Sequence, residues 1–281
     1  MQEHADALRA AGRRLVLVPT MGALHDGHIS LVETAKQHGD HVTASIFVNP
    51  TQFGPNEDFD SYPRTEEADF ARLEAAGVDA VFTPTVASMY PDQINGTLTW
   101  VISDRLDEHL CGAYREGHFR GVTTVVTKLF LACKPHGAVF GLKDAQQFLI
   151  LRRMVQDLNF DVEVIGSATV REPDGLAMSS RNAYMSAPAR AQAPVLYEGL
   201  SAARKAVEEG EADASRLRQM VIDKIEQADE ARIQYVEVVD AGTIQPIETL
   251  VPGEEALIAL AVFFGPSRLI DNVFLQLPNP P

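Results

Sequence analysis

Two histidines three residues apart, His25 and His28, follow a short apolar run in VPTMGALHDGHISL. Imidazoles at that spacing can share one side of a helical turn. Beside a helix amino terminus they can donate hydrogen bonds to phosphate oxygens as negative charge develops. Gly22 and Gly27 allow close approach of a ligand to the backbone. The segment has neither the Lys nor the spacing of a Walker A loop. The same two histidines also suit helix capping, a polar surface or part of a metal site. Further along, Lys143 and Asp144 stand in FGLKDAQQ, and Ser179, Ser180 and Arg181 follow a REPDG turn. Hydroxyls beside a cation suit an anionic group. Lys143 and Asp144 read equally as a helix start, with Asp144 the amino-terminal cap of a helix carrying Gln146 and Gln147.

These residues need a frame, and the alternation of short β-branched runs with amphipathic stretches supplies one. Arg14–Val18 reads as a buried strand with the helix Ile29–His38 behind it, and His41–Val48 as the next strand. A helix at Thr65–Ala76 stops at Gly77; Ala80–Phe82 and Leu98–Ile102 read as strands. Val122–Ala132 and Asp144–Leu158 read as helices, Ala138–Phe140 and Val162–Ile165 as strands. The pattern predicts an α/β fold with a Rossmann-like parallel sheet, whose ligands bind beyond the carboxyl ends of the strands, where the HxGH turn lies. After Arg171 the pattern changes. Helices at Ala187–Glu209 and Ala214–Glu230 precede strand-like runs at Ile233–Val239, Ala256–Phe264 and Leu269–Leu277, which predicts a smaller carboxyl-terminal α+β domain. The boundary is expected near Ser186, where SAPAR interrupts both patterns, giving domains 1–186 and 187–281.

A length of 281 residues accommodates two domains. The formal net charge of −15 repels a phosphate backbone and argues against nucleic acid as a partner. It also makes the position of every cation informative, because an anionic substrate must be met by local positive groups. Cys111 and Cys133 are far apart and read as two buried or half-buried thiols rather than a disulfide or metal pair. Charges in MQEHADALRAAGRRLVLV stand where a signal peptide would be apolar, and no apolar run is long enough to span a bilayer. A reduced cytoplasmic protein without a membrane partner is the expectation.

The HxGH turn resembles the signature of the nucleotidyltransferase superfamily that includes class I aminoacyl-tRNA synthetases. There, a second motif rich in Ser and Lys closes over the ATP phosphates; Met178-Ser179-Ser180-Arg181-Asn182 occupies that place here. Val48–Thr65, Glu116–Phe130, Phe140–Gln147 and Thr169–Asn182 together resemble the pantothenate synthetase (pantoate–β-alanine ligase) family, and RLIDN at Arg268–Asn272 extends the match. The resemblance implies ATP-dependent condensation of (R)-pantoate with β-alanine through an enzyme-bound pantoyl adenylate, with Mg²⁺ present and AMP and diphosphate released. By the same resemblance, Met21, Gly22, Ala23, Leu24, His25, Asp26, Gly27 and His28 form the first ATP segment, with His28 the proton donor. Gly141, Leu142, Lys143 and Asp144 form the second; Val170 touches the nucleotide, and Met178, Ser179, Ser180 and Arg181 close on the phosphates. Gln52 contacts pantoate and β-alanine, and Gln147 contacts pantoate. Residues 1–186 become the catalytic domain and 187–281 a lid and dimer domain, in a homodimer.

The chemistry explains these residue types. A carboxylate must approach the α-phosphorus of ATP, so the site must neutralise charge without adding a competing nucleophile. His25, His28, Lys143, Arg181, the serine hydroxyls and a metal ion do so in this reading. Glutamine amides can donate to one pantoate oxygen and accept from another without repelling its carboxylate. Pro19, Met21 and Phe53 are candidates for the apolar wall around the gem-dimethyl group, with Phe53 equally a core residue. The acidic run Asn56-Glu57-Asp58-Phe59-Asp60 reads as a solvated loop, or as an aid to magnesium or ammonium binding. Arg115, His118 and Arg120 serve substrate or brace the sheet, and Trp100 is core or interface. A transferase that leaves the nucleotide on its product and a noncatalytic nucleotide-binding regulator are the rival readings.

Overall fold

In the computed structural model, which describes residues 1–55, 57 and 59–279, an amino-terminal helix α1 (Gln2–Ala10) leads into β1 (Leu15–Thr20). There follow α2 (Asp26–His38), β2 (His41–Ile46), α3 (Glu66–Ala75), β3 (Ala80–Phe82), the short α4 (Val86–Met89), α5 (His118–Cys133), β4 (Gly137–Gly141), α6 (Ala145–Asp157) and β5 (Glu163–Ser167). The strands form a five-stranded parallel sheet in the order β3-β2-β1-β4-β5. LVLVPT is apolar along its length because β1 is the central strand and both its faces are covered. Val16 and Val18 pack with Leu31, Val32 and Ala35 of α2, Leu73 of α3, and Val42, Ala44, Val139 and Ile165 of the neighbouring strands. The chain runs from β1 outward through β2 to β3, then returns to place β4 on the other side of β1. That reversal makes the carboxyl ends of β1 and β4 the switch point of the sheet.

The second sheet is antiparallel. Beyond α7 (Ala187–Gln192), α8 (Val195–Glu208) and α9 (Ala214–Ile225), the strands β6 (Ala231–Asp240), β7 (Glu255–Phe264) and β8 (Ser267–Gln276) pair in that order. Leu196, Leu200 and Val207 of α8, with Leu217, Val221 and Ile225 of α9, cover one face of the sheet through Val236, Ile258, Leu260 and Val273.

Contacts divide the chain into two units. The first comprises Met1–Asp104, Arg115–Leu142 and Gln147–Ala168; the second comprises Arg105–Tyr114, Lys143–Gln146 and everything from Thr169 onward. The changeover thus precedes the composition break at Ser186. Arg171 is ion-paired to Asp271 of β8 at 2.6 Å, and Arg190 to Glu172 and Asp174 at 2.5 and 2.6 Å, which ties the Thr169–Ser186 segment to the later elements. Ser186 caps α7 by accepting from the Ala189 N–H and so marks a helix start.

Two expectations are corrected. Leu98–Ile102 is not a strand. Its backbone is satisfied by α5 hydroxyls instead, with the Val101 N–H donating to Thr124 Oγ1 at 3.0 Å and Thr123 Oγ1 donating to the Val101 carbonyl at 2.7 Å. The helix expected over Ala187–Glu209 is two helices, because Pro194 has no N–H to continue the first and stands at the amino-terminal edge of the second. Cys111 and Cys133 are buried free thiols, and burial pushes the Cys133 thiol up to about 12. Among the described residues no helix is long and apolar enough to cross a membrane.

His136, at the entry to β4, accepts the Leu15 N–H on Nδ1 at 3.0 Å. Burial first, then the charges of Arg9 and Arg14, holds its pKa below the ordinary 6.5, and burial lowers that of His41 as well. The unfolded chain therefore takes up protons before the folded one. Stability present above the unfolded value is lost as pH falls through the lowered folded values. Melting followed from about pH 8 to about pH 5 is expected to decline below about pH 6.5, less steeply in His136→Gln. Equal slopes in the two proteins would remove His136 from this account.

Candidate active site

The turn after β1 is shaped by a carboxylate that sequence reasoning missed. Asp69, in the first turn of α3, is 2% exposed. Its Oδ2 accepts from the Ala23 N–H at 3.0 Å and from Thr65 Oγ1 at 3.2 Å, and its Oδ1 accepts from the Leu24 N–H at 2.8 Å. Gly22 turns here at φ 83°, and a Cβ on it would meet Asp69 Oδ2 at 3.0 Å and Ile46 Cγ2 at 3.3 Å. The glycine is thus required by both its conformation and its neighbours. The backbone N–H groups of Ala23 and Leu24 face Asp69. The one signal in the sequence was an acidic residue inside an otherwise small and apolar helix face.

The two histidines are both capping and paired. His25 is the N-cap of α2: its Nδ1 accepts from the Gly27 N–H at 3.1 Å, while His28 Nδ1 accepts from the His25 N–H at 3.3 Å. Their rings lie side by side with centroids 4.2 Å apart, as the spacing predicts. An imidazole whose Nδ1 accepts carries its proton on Nε2 when neutral, so both rings are set in the Nε2–H tautomer. The reciprocal cap therefore fixes two N–H donors at a positive helix end. Asp26, beside them, is exposed and paired with Arg72 at 3.2 Å.

Gln52 ends a 3₁₀ turn at Pro50–Gln52, after β2. Asn49, 1% exposed, organises it: Asn49 Nδ2 donates to Gln52 Oε1 at 3.0 Å and to the Gly121 carbonyl at 3.2 Å. Asn49 Oδ1 accepts from Thr51 Oγ1 at 3.0 Å and from Tyr90 Oη at 2.9 Å. Gln52 Nε2 reaches Met21 Sδ at 3.2 Å, so the structure brings together the loops after β1 and β2. Asn-Pro before a turn was the available signal for Asn49. Phe53 is half-buried and packs edge-on against Phe59 and Tyr62.

Of the acidic run, Asn56 and Asp58 lie outside the described residues. Glu57 is paired with Arg115 at 2.7 Å; burial raises its pKa, but Arg115's hydrogen bonds and charge outweigh this and lower it. Arg120 stacks over Trp100, 4.6 Å from the ring centroid. Among the described residues no group of three His, Cys, Asp or Glu is placed to hold a metal ion.

Gly141 ends β4 at the switch point, and Leu142, Lys143 and Asp144 form a 3₁₀ turn running directly into α6. The helical turn thus starts two residues before the expected cap, and Asp144 lies within it. Gln146 and Gln147 then separate. Gln146 is buried in the second unit, donating to the Leu106 and His109 carbonyls and accepting from the Gly112 N–H, while Gln147 is half-buried in the first unit.

In the second unit the Lys143 carbonyl accepts from Asn272 Nδ2 at 2.9 Å. This is what the RLIDN segment does: Asp271 takes Arg171 in two bonds of 2.6 and 2.9 Å, and Asn272 anchors the turn bearing Lys143. Arg171 also stacks on Tyr197, 3.6 Å from the ring centroid. The REPDG turn places Met178 opposite Val170, the Met178 N–H donating to the Val170 carbonyl at 3.0 Å. Ser179 caps the 3₁₀ turn Ser180–Tyr184 through the Arg181 N–H. Asn182 Nδ2 donates to Glu172 Oε1 and the Ala177 carbonyl, and Ser267 Oγ to the Arg181 carbonyl. The Ser-Ser-Arg loop thus hangs from three fixed points. Arg190's hydrogen bond lowers the Asp174 pKa, and Asp174's in turn raises that of Arg190.

Asp69→Ala leaves two N–H groups without their acceptor. It is expected to destabilise the protein by about 1–3 kcal/mol and to speed amide exchange at Ala23 and Leu24. Denaturant unfolding and hydrogen exchange measure this; unchanged protection at both amides would show that the loop holds its shape without Asp69.

Comparison with known proteins agrees with the resemblance read from the motifs. A family model described as pantoate-beta-alanine ligase matches residues 1–274. The pantothenate synthetase of Salinibacter ruber is 60% identical over 99% of this chain and 96% of its own length. That of Acetivibrio thermocellus is 53% identical over 95% of this chain and 93% of its own. A crystal structure of pantothenate synthetase from Thermus thermophilus covers 98% of each chain at 45% identity, with a TM-score of 0.87. A pantoate-beta-alanine ligase from Francisella tularensis, complexed with beta-gamma ATP and beta-alanine, covers 96% of this chain and 94% of its own at 33% identity and a TM-score of 0.75. The chain belongs to the pantoate–β-alanine ligase family.

Proposed function

We propose that this protein condenses (R)-pantoate with β-alanine at the cost of ATP, releasing pantothenate, AMP and diphosphate through an enzyme-bound pantoyl adenylate. The observation that carries this reading is the capped histidine pair at the amino terminus of α2, at the switch point of a sheet whose family is the pantoate–β-alanine ligases.

In the first half-reaction a pantoate carboxylate oxygen bonds to the α-phosphorus and the bond to the β-phosphate oxygen breaks. The negative charge gathering on the phosphates meets the Nε2–H donors of His25 and His28, with His28 the proton donor. Lys143 and Arg181 supply positive charge, and Ser179 and Ser180 supply hydroxyl donors. Met21–His28, Gly141–Asp144, Val170 and Met178–Arg181 form the nucleotide site. Gln52 holds pantoate and β-alanine, and Gln147 holds pantoate. In the second half-reaction the uncharged amine of β-alanine bonds to the adenylate carbonyl carbon. The carbon–oxygen bond to AMP then breaks, and the amine loses a proton.

Magnesium accompanies ATP in this reading. With no three-ligand cluster among the described residues, the ion is assigned to the nucleotide's phosphates, a mode that needs few protein ligands. Residues 1–186 carry catalysis, 187–281 act as lid and dimer domain, and the protein works as a cytoplasmic homodimer. The Ser179–Arg181 loop covers the site when ATP binds, shielding the adenylate from water.

Purified protein given MgATP and (R)-pantoate is expected to release diphosphate in a pantoate-dependent way, and to release AMP and pantothenate steadily only when β-alanine is added. His28→Ala or Lys143→Ala should slow adenylation by about two to three powers of ten. Absence of pantoate-dependent diphosphate from folded protein that binds ATP would end this assignment, and a nucleotide-conjugated product would select the transferase reading. Limited proteolysis is expected to cut the Ser179–Arg181 loop more slowly with ATP; equal cutting with and without it would dismiss the lid.

A further inference from the structure

The amino-terminal turn of α5 grips the Pro50–Gln52 turn. Gly121 lies so close that a Cβ on it would stand 2.4 Å from the Thr51 carbonyl oxygen. One turn earlier, His118 Nδ1 is 2.8 Å from the Gln52 carbonyl oxygen, and His118 Nε2 is 2.9 Å from Arg115 Nη1. A guanidinium only donates, so Nε2 is the acceptor and the proton of the neutral ring sits on Nδ1. His118 therefore donates to the Gln52 main chain. Arg115 is fixed in turn by Glu57, in bonds of 2.7 Å from Nε to Oε1 and from Nη2 to Oε2. Glu57 Oε2 also accepts from the Gly54 N–H at 3.3 Å, so the bonds close a ring around the chain just beyond Gln52. Gln52's amide meanwhile lies between Asn49 Nδ2 and Met21 Sδ, and its direction follows the placement of its own backbone.

We propose that Arg115 and His118 are positioning residues for Gln52, setting the affinity for pantoate and β-alanine through the Gln52 main chain, with Glu57 as their anchor. This rests on the reading of Gln52 as a substrate ligand. An amide that must match both a donor and an acceptor loses most of its value when displaced by a fraction of an ångström. The relay meets the Pro50–Gln52 turn at the Gln52 carbonyl, after β2, whereas the nucleotide is given to Met21–His28, Gly141–Asp144, Val170 and Met178–Arg181. Its loss is therefore expected to leave the nucleotide's affinity alone.

Steady-state kinetics on the full-length protein, varying each substrate in turn, tests this with Gln52→Ala, His118→Ala, their double variant, Arg115→Lys and Glu57→Gln. His118→Ala is expected to raise KM for pantoate or β-alanine about tenfold with the ATP KM held within about twofold. The double variant should be no worse than Gln52→Ala alone, because two residues acting through one contact are not additive. Arg115→Lys and Glu57→Gln should raise the same KM by smaller factors, and they supply the readout if His118→Ala does not fold. Additive effects in the double variant, or an ATP KM rising in step with the others, would overturn the relay and leave the Gln52 reading standing. Gln52→Ala with unchanged KM for both pantoate and β-alanine would overturn both.

Discussion

The reversal of strand order beside β1 is the constraint from which the placement of the first unit's loops follows. Strands β2 and β3 extend the sheet to one side of β1, and β4 and β5 to the other. The connections leaving β1 and β4 therefore run apart and expose backbone at the carboxyl edge. The HxGH turn and Gly141–Leu142 occupy those two exits, and Gln52 follows the adjacent β2. Burial of β1 on both faces holds the geometry, since shifting a central strand would displace Val16 and Val18 from their partners on α2, α3 and the flanking strands.

Loops at such an edge have backbone groups without sheet partners, and a small number of buried polar side chains meets that need. Asp69 accepts from Ala23 and Leu24, Asn49 organises Pro50–Gln52, Gln146 ties Leu106, His109 and Gly112, and Asn272 holds the Lys143 carbonyl. Each satisfies donors or acceptors that would otherwise be costly to bury. Asp69, Asn49 and Asn272 also remove freedom from segments that carry candidate functional residues. Donors already in position need no reorganisation when charge develops, and this is how a fixed loop contributes to rate.

Charge follows the same division. In a chain of net charge −15, much of the arginine is committed to structure. Arg115 meets Glu57, Arg171 meets the buried Asp271 and the face of Tyr197, and Arg190 meets Glu172 and Asp174. Removing one partner of a buried pair such as Arg171–Asp271 costs about 3–5 kcal/mol, because the other charge is left uncompensated. The Val170–Met178 turn is therefore firmly seated beneath the Ser-Ser-Arg loop. Closure, in the proposed reaction, falls to the loop itself rather than to the turn.

The sequence by itself determined the type of fold and pointed to the residues proposed to carry the chemistry. Apolar runs of strand length alternating with helical periodicity are local signals, and they located each of the strands described in the two sheets. The histidine spacing, FGLKDAQQ and the SSRN loop were legible because their residue types are rare in those combinations. Leu98–Ile102 misled because β-branched and aromatic residues look the same whether a strand or a pair of threonine hydroxyls satisfies the backbone. Only the tertiary structure decided that Asp69, Asn49, His118 and Asp271 are the supports of these motifs. Partners that fix them lie far off in the chain: Ala23 is 46 residues from Asp69, Gly121 is 72 from Asn49, Gln52 is 66 from His118 and Arg171 is 100 from Asp271. A buried carboxylate or amide looks in one sequence like any solvated one. Its role depends on which backbone groups the fold leaves unpaired, and that is settled only when distant segments pack together.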